Sequence, residues 1–251
     1  MIKNGKVLSF GIIQKTTSLS MSVLPSPREK AVIVQKMFDR IAPGYDRLNR
    51  IITLGFDQLW RKKLLKELNI QENQRVLDLA CGTGDFAKTA GLYGAKVIAL
   101  DFSPNMLHYA QKRQILNATL IQGDALSLPL HESSFDIAVS GFALRNFSTI
   151  QPVFNELHRI LVKGGQLGLL EIDKPKNRIL KKSHAIYFTK IVPLIGGILS
   201  DRAAYQYLPA SEAYLPNELE LFNMLEQSGF TKIKKRSLLG GAAQMITALK
   251  N

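Results

Sequence analysis

Val76-Leu77-Asp78-Leu79-Ala80-Cys81-Gly82-Thr83-Gly84-Asp85 is the stretch that decides how this chain is read. An apolar run of strand length carries an acid near its end, and a glycine-rich turn then leads into a segment with helical spacing of its apolar residues. Gly82 and Gly84 are expected to let the backbone approach a ligand where any Cβ would collide. About 20 residues on, Asp101 closes a second apolar run, where an acid can accept hydrogen bonds from both hydroxyls of a ribose. This spacing suits an adenosine-type ligand.

Outward from that stretch, short apolar runs alternate with amphipathic segments. Strands are expected near Val76–Leu79, Lys96–Leu100, Ala118–Gln122, Phe135–Ser140 and Gln166–Glu171, with helices near 85–92, 104–114 and 150–161 between most of them. That order predicts an α/β fold, a Rossmann-like parallel sheet covered on both faces. On the N-terminal side, Val32, Val34, Met37, Phe38 and Ile41, then Leu48, Ile51, Ile52, Leu59, Leu64 and Leu65, recur at helical spacing around a break at Pro43-Gly44. They predict a helical cover over 29–68, preceding a core over 74–173. Beyond it, a basic helical insertion is expected near 176–199 within 174–216. A helix near 217–228 then precedes strands Lys232–Ser237 and Ala242–Ala248. The short link Leu238–Gly241 forces those two strands antiparallel, because a parallel pair needs a long crossover. Residues 29–251 thus read as a single domain. Residues 1–28, without an acid and rich in Ser and Thr, bear a superficial likeness to an organelle transit peptide. They read instead as a disordered tail, or as a start placed ahead of Met21.

Gly82-x-Gly84-x-x-Ala87 formally satisfies the dinucleotide fingerprint, so NAD and FAD stand as candidates beside S-adenosylmethionine. Three features favour S-adenosylmethionine. Asp78 lies where a ligand amine would be welcome, Asp85 sits at a helix N-terminus where phosphate would be repelled, and the sheet ends in a reversed strand. After the third strand, Asp124 with Ala125 places a carboxylate where it can accept from an adenine amino group, at the end of the sheet where ligands bind. Alone, each acid reads as a helix cap or turn residue; three at successive strand ends read as a site. Cys81 reads as a small packed residue of the loop.

Composition narrows the classes. The 251 residues hold 33 Lys and Arg against 20 Asp and Glu, a net charge of +13, which points to an anionic partner, either nucleic acid or an acidic membrane surface. One cysteine cannot form an internal disulfide, and His108, His131, His158 and His184 show no metal-ligand spacing, so a structural zinc site is excluded, no metal is expected and the setting reads as cytoplasmic. No run reaches the ~20 apolar residues of a spanning helix.

In these motifs the sequence resembles the UbiE-type C-methyltransferases of ubiquinone and menaquinone biosynthesis, from about Met37 to Leu249. The carriers are Met37-Phe38-Asp39-Arg40-Ile41-Ala42-Pro43-Gly44-Tyr45-Asp46, Asn49, Trp60, the run 78–85, Asp101-Phe102-Ser103, Phe142-Ala143-Leu144-Arg145-Asn146, Leu170-Glu171 with Lys174-Pro175, Tyr207-Leu208-Pro209 and Gly240-Gly241. Departures are Asp57 in place of a frequent His or Gln, Val162-Lys163 before Gly164-Gly165, and Asp173 in place of a Ser. The resemblance implies a class I methyltransferase fold using S-adenosylmethionine, with cofactor contacts at Thr83, Asp101, Asp124, Ala125 and Ser140. It implies substrate-side residues at Tyr45, Asn49, Arg145 and Asn146, and C-methylation of a polyprenyl quinol, with demethylmenaquinol the expected acceptor. Tyr45 and Asn49, four apart, would share one helix face.

Transfer to a ring carbon needs loss of a quinol hydroxyl proton. Arg145 is the expected catalytic group, holding the phenolate or a water that takes the proton, with Asn146 orienting either. His108 and His131 are fallback bases. Lys174, Lys176, Arg178, Lys181 and Lys182 precede Ile186, Tyr187, Phe188, Ile191 and Val192, which suggests a segment resting on anionic lipid, or one capping the substrate tunnel. An RNA or DNA methyltransferase is the competing class, but Cys81 is misplaced for a covalent nucleophile and no RNA-binding module is appended, so no nucleic acid is expected. A non-catalytic binding protein on this fold is a third reading. A homo-oligomer is left open.

Overall fold

The computed structural model describes residues 27–173, 175, 177–192, 194, 195, 207 and 211–251. Of the tail expected over 1–28, residues 1–26 lie outside the described residues, as do Lys174, Lys176, Leu208 and Pro209, whereas Pro27 and Arg28 already belong to the first helix. Three helices come first: α1 (Pro27–Ile41), α2 (Tyr45–Ile52) and α3 (Phe56–Glu67). The core follows as β1 (Arg75–Leu79), α4 (Asp85–Leu92), β2 (Lys96–Asp101), α5 (Pro104–Lys112), β3 (Ala118–Gln122), β4 (Phe135–Gly141), α6 (Gln151–Ile160) and β5 (Leu161–Ile172). After α7 (Arg178–Ile186) come α8 (Glu218–Gln227), β6 (Phe230–Leu238) and β7 (Ala243–Lys250). One seven-stranded sheet has the order β3-β2-β1-β4-β5-β7-β6, with β7 antiparallel to both neighbours and every other pairing parallel.

The expected parallel sheet with a reversed last strand is the observed one. The two faces of β1 show why: Val76 enters the core under α3 and α4, whereas Leu77 and Leu79 enter the core under α6 and α8. Element ends differ from expectation. β5 starts at Leu161 rather than Gln166, because Gly164, at φ 77, and Gly165 bend the chain without ending the strand, and the register shifts opposite Phe135 and Ile137. The N-terminal cover has a second break, at Leu54 (φ 52) and Gly55 (φ 76), in addition to Pro43-Gly44. Val32, Ile51 and Leu59, placed on the apolar face by spacing, are exposed.

A third core joins the cover to the insertion. Met37, Ile41, Leu48 and Ile52 pack with Met106 of α5, Val192 and, at its edge, Tyr187, whose hydroxyl donates to the Ile52 carbonyl at 2.6 Å. The insertion therefore roofs the molecule over α2. Its apolar residues do not form one buried face, since Ile186 and Ile191 are exposed; the Phe188 side chain lies outside the described residues. Among the described residues no helix is long and apolar enough to cross a membrane.

Candidate active site

The turn after β1 is built from left-handed residues, Ala80 at φ 53, Gly82 at φ 56 and Gly84 at φ 85. It folds the chain so that the Gly82 N–H donates to Asp101 Oδ2 at 2.7 Å, while Asp101 Oδ1 accepts from the Ser103 N–H at 2.8 Å. Burial pushes the Asp101 carboxyl up to about 6 against the pull of these bonds. Gly82, Asp101, Phe102, Asp124 and Ala125 line a first cavity at the carboxyl ends of the strands, with Tyr45, Phe142 and Asn146 at its far side. Asp124 Oδ1 accepts from the Leu126 N–H, which shapes the turn after β3. α1 covers this cavity with Ala31, Val34, Gln35 and Phe38. It is pinned there by Gln35 Nε2 donating to the Phe102 carbonyl, by Ser103 Oγ donating to Asp39 at 2.6 Å, and by Lys30 Nζ donating to the Phe147 carbonyl at 2.6 Å.

Four expected cofactor residues do not line either cavity described here. Asp78 is buried beneath the turn, its Oδ2 accepting from the Ala87 N–H at 2.9 Å in the first turn of α4, and burial pushes its carboxyl up to about 7. The Thr83 hydroxyl donates to Asp46 and accepts from Arg113. Ser140 Oγ donates to the Leu79 carbonyl at 2.9 Å, tying β4 to β1. Gly84 lacks a Cβ for a different reason from the one expected. An added Cβ would lie 2.4 Å from Ile115 Cδ1, so the collision is with packing under α5 and not with a ligand. Asp85 does not present a bare charge at the helix start either. Arg50 donates to both its oxygens at 2.8 Å and Arg113 to one at 2.9 Å. Burial alone would raise this carboxyl, and the pull of Arg61, Arg50 and Arg113 brings it below its ordinary value. Burial raises the Cys81 thiol well above its usual range, consistent with an inert packed residue.

The second cavity, about 460 Å³, lies between α2, α3, α7 and the loop after β4. Tyr45 and Asn49 face it from one side of α2, and Arg145 and Asn146 from the short 3-10 turn after β4. Arg145 is 6% exposed, its Nη1 donating to the Phe142 carbonyl at 2.8 Å and to Glu171 of β5. Phe38, Tyr45, Phe142 and Asn146 line both cavities, so the two spaces share one wall. Phe142 holds φ 61, a conformation that costs a bulky residue energy and that marks functional positions.

The family model described as the ubiE/COQ5 methyltransferase family matches residues 26–250. The chain belongs to that family. A demethylmenaquinone methyltransferase of Roseiflexus sp. (strain RS-1) is 38% identical to it over 92% of this chain and 99% of the relative. The ubiquinone/menaquinone biosynthesis C-methyltransferase UbiE of Syntrophotalea carbinolica is 39% identical over 86% of this chain and 93% of its own. In fold, the chain is similar to a SAM-dependent methyltransferase from Thermotoga maritima, with TM-score 0.61 and 19% identity over 86% of this chain and 99% of the other. As a member of the ubiE/COQ5 family the protein is a methyltransferase that uses S-adenosylmethionine. The first cavity fits that group. Asp101 accepts backbone N–H groups of Gly82, Phe102 and Ser103, which leaves a carboxylate, with about four acceptor sites, room for a ligand hydroxyl, and the rest of the wall is mostly apolar, as a base requires.

Sequence reasoning missed several residues of the second cavity. Glu171 was one of the motifs carrying the resemblance but had no role; it is fully buried and neutralises Arg145 from another strand. Of the expected fallback bases, His131 is exposed and His108 lies in a groove beside β3, whereas His184 of α7 lines the cavity. Asp57, a departure from the resembled pattern, anchors Arg50, Thr53, Gln58 and Arg61. Tyr207 also lines the cavity, and burial pushes its phenol up to about 12, so it stays a donor. Tyr207 stood in a quoted motif without a role, and the signal for Arg61 existed only as adjacency to Trp60.

Proposed function

We propose that this enzyme methylates a ring carbon of a polyprenyl quinol, with demethylmenaquinol as the acceptor. The carrying observation is the shared wall: two cavities, one with a ribose-type carboxylate and one apolar with buried guanidinium groups, meet at Phe38, Tyr45, Phe142 and Asn146. The names of the relatives support the same acceptor class. Bound S-adenosylmethionine supplies a methyl group already activated on a positive sulfur, so no covalent nucleophile is asked of the chain.

Asp101 accepts from ribose hydroxyls, and Asp124 with Ala125 borders the base. Asp78 acts through the turn it supports. Tyr45 and Asn49 flatten the acceptor ring against the shared wall, which brings the reacting atoms into line. Arg145 does not take the proton, because a guanidinium is not deprotonated in proteins. It holds the phenolate oxygen that forms when the ring hydroxyl gives its proton to water, and Glu171 keeps its fork aimed. Asn146 orients the same oxygen.

Contact with a bilayer is the second part of the proposal. Leu54, Leu180 and Leu239 line the second cavity yet are 78%, 47% and 58% exposed, forming an apolar rim at its mouth from three separate elements. Arg178, Lys181 and Lys182 are exposed on α7 beside that rim. A polyprenyl chain held in lipid can thus enter without crossing water, and basic residues favour an anionic surface. The test of the reaction is transfer of labelled methyl to chemically reduced demethylmenaquinone and to the benzoquinol precursor of ubiquinone, with oxidised quinones as controls. Labelling of the naphthoquinol alone is expected, and labelling of neither would refute the proposal.

A further inference from the structure

The second cavity has two buried guanidinium groups; Arg145 is assigned to the acceptor, while Arg61 has so far appeared only as a charge that holds Asp85 ionised. Arg61 of α3 is 7% exposed and lies between two rings, its Cζ 5.3 Å from the Phe86 centroid and 5.2 Å from that of Phe142. Among the described residues its hydrogen bonds leave from Nη1, to the Asp57 carbonyl at 3.3 Å and to Asp57 Oδ2 at 3.1 Å. Nε is buried without a partner, and Nη2 lies 3.7 Å from where a Cβ on Gly141 would stand, beside the wall shared by the cavities. Buried N–H groups left unpaired are costly and call for an acceptor.

Asp57 does not supply the reason for Arg61. The same carboxylate accepts from Arg50 at 2.6 Å, Thr53 at 2.7 Å and Gln58 at 2.9 Å, so it is satisfied three times over without Arg61. Nor is Arg61 a surface cation tucked in by chance. Phe142 binds one guanidinium through its carbonyl and faces the other with its ring, and Tyr45 stands in the field of both. A planar fork set against aromatic rings, with a buried Nε–H that has no partner, is the arrangement that recognises an oxygen anion.

We propose that Arg61 binds an oxyanion at the junction of the two cavities, taken either from the carboxylate of the cofactor's amino-acid end or from a ring oxygen of the acceptor. The second source rests on the quinol reading; the first does not. Binding of S-adenosylhomocysteine by calorimetry, which needs no acceptor, tests the first. Arg61→Met keeps the stacking and loses the donors, and Arg61→Lys keeps the charge without the fork and serves if the Met variant does not fold.

If the cofactor supplies the anion, both variants bind S-adenosylhomocysteine at least about tenfold more weakly than the wild type, Lys less impaired than Met. The decarboxylated analogue then binds all three proteins alike. If the ring supplies it, cofactor binding is unchanged and KM for the reduced quinol rises about tenfold, while a monomethyl ether of that quinol no longer discriminates wild type from variant. Unchanged cofactor binding together with an unchanged KM overturns the proposal. Absence of quinol turnover in the wild type would instead strike the quinol reading and leave the calorimetric arm standing.

Discussion

Arg145 and Glu171 set the terms at the residue scale, because each is buried and each is the other's charge partner. Removing one partner of such a pair costs about 3–5 kcal/mol, by leaving the other uncompensated. Arg145→Ala is therefore expected to lower kcat by roughly a hundredfold or more, with S-adenosylhomocysteine affinity by calorimetry unchanged. Equal losses in both would remove Arg145 from the reaction. Asp78 offers a test by pH. Its folded value of about 7 lies above the ordinary carboxylate value of 3.8 that the unfolded chain regains, so the native state takes up a proton as pH falls through 7. Its charge is then a burden above pH 7 that is relieved on acidification, and each pH unit separating the folded from the unfolded value is worth about 1.4 kcal/mol. Asp78→Asn, whose amide oxygen can still accept from Ala87, should raise Tm most at pH 8 and least at pH 5. A Tm difference independent of pH would contradict this. Asp101 behaves oppositely for ligand binding: below about 6 it is neutral, so cofactor affinity should fall on acidification from pH 7 to pH 5.

At the scale of elements, the turn after β1 and helix α1 carry the argument. Gly84→Ala would force Cβ to within 2.4 Å of Ile115 Cδ1 at a left-handed φ of 85, so a loss of about 1–3 kcal/mol in chemical denaturation is expected, with no direct loss of a ligand contact. α1 is held over the first cavity by polar ties as well as by the packing of Met37 and Ile41 in the third core. Asp39→Ala, which removes the acceptor of Ser103 Oγ and the Asn105 N–H, should speed exchange of α1 amides and raise the cofactor off-rate. These elements also show what the sequence could carry. Strand positions were legible because Val76–Leu79 and its counterparts are continuous apolar runs, and Tyr45 with Asn49 was legible because helical spacing fixes a shared face. The start of β5 was not, since Gly164-Gly165 imitates a turn, whereas the strand pairs at Leu161 and again from Gln166 across the irregularity between them. The partners of Arg145 and Asp85 were not either: Glu171 arrives from a different strand and Arg50 and Arg113 from different helices, and no local pattern encodes a long-range ion pair. Asp78, Thr83 and Ser140 looked alike as polar residues near strand ends, and only their hydrogen bonds separate them from Asp101.

For the whole molecule, a net charge of +13 and a leucine rim around one mouth act together. Leu54→Ser combined with Leu239→Ser should cut co-flotation with acidic vesicles by at least about tenfold, since a fully buried leucine is worth about 1.5–3 kcal/mol. Co-flotation unaffected by the double substitution would place the docking surface elsewhere. The two cavities share a wall but differ in their surroundings: one is covered by α1, and the other is lined by the exposed Leu54, Leu180 and Leu239. Such an enzyme has no need of a compulsory order of arrival. Spent cofactor can leave to water while the acceptor stays seated from the lipid side, so S-adenosylhomocysteine should compete with S-adenosylmethionine in initial-rate kinetics and be non-competitive toward the quinol.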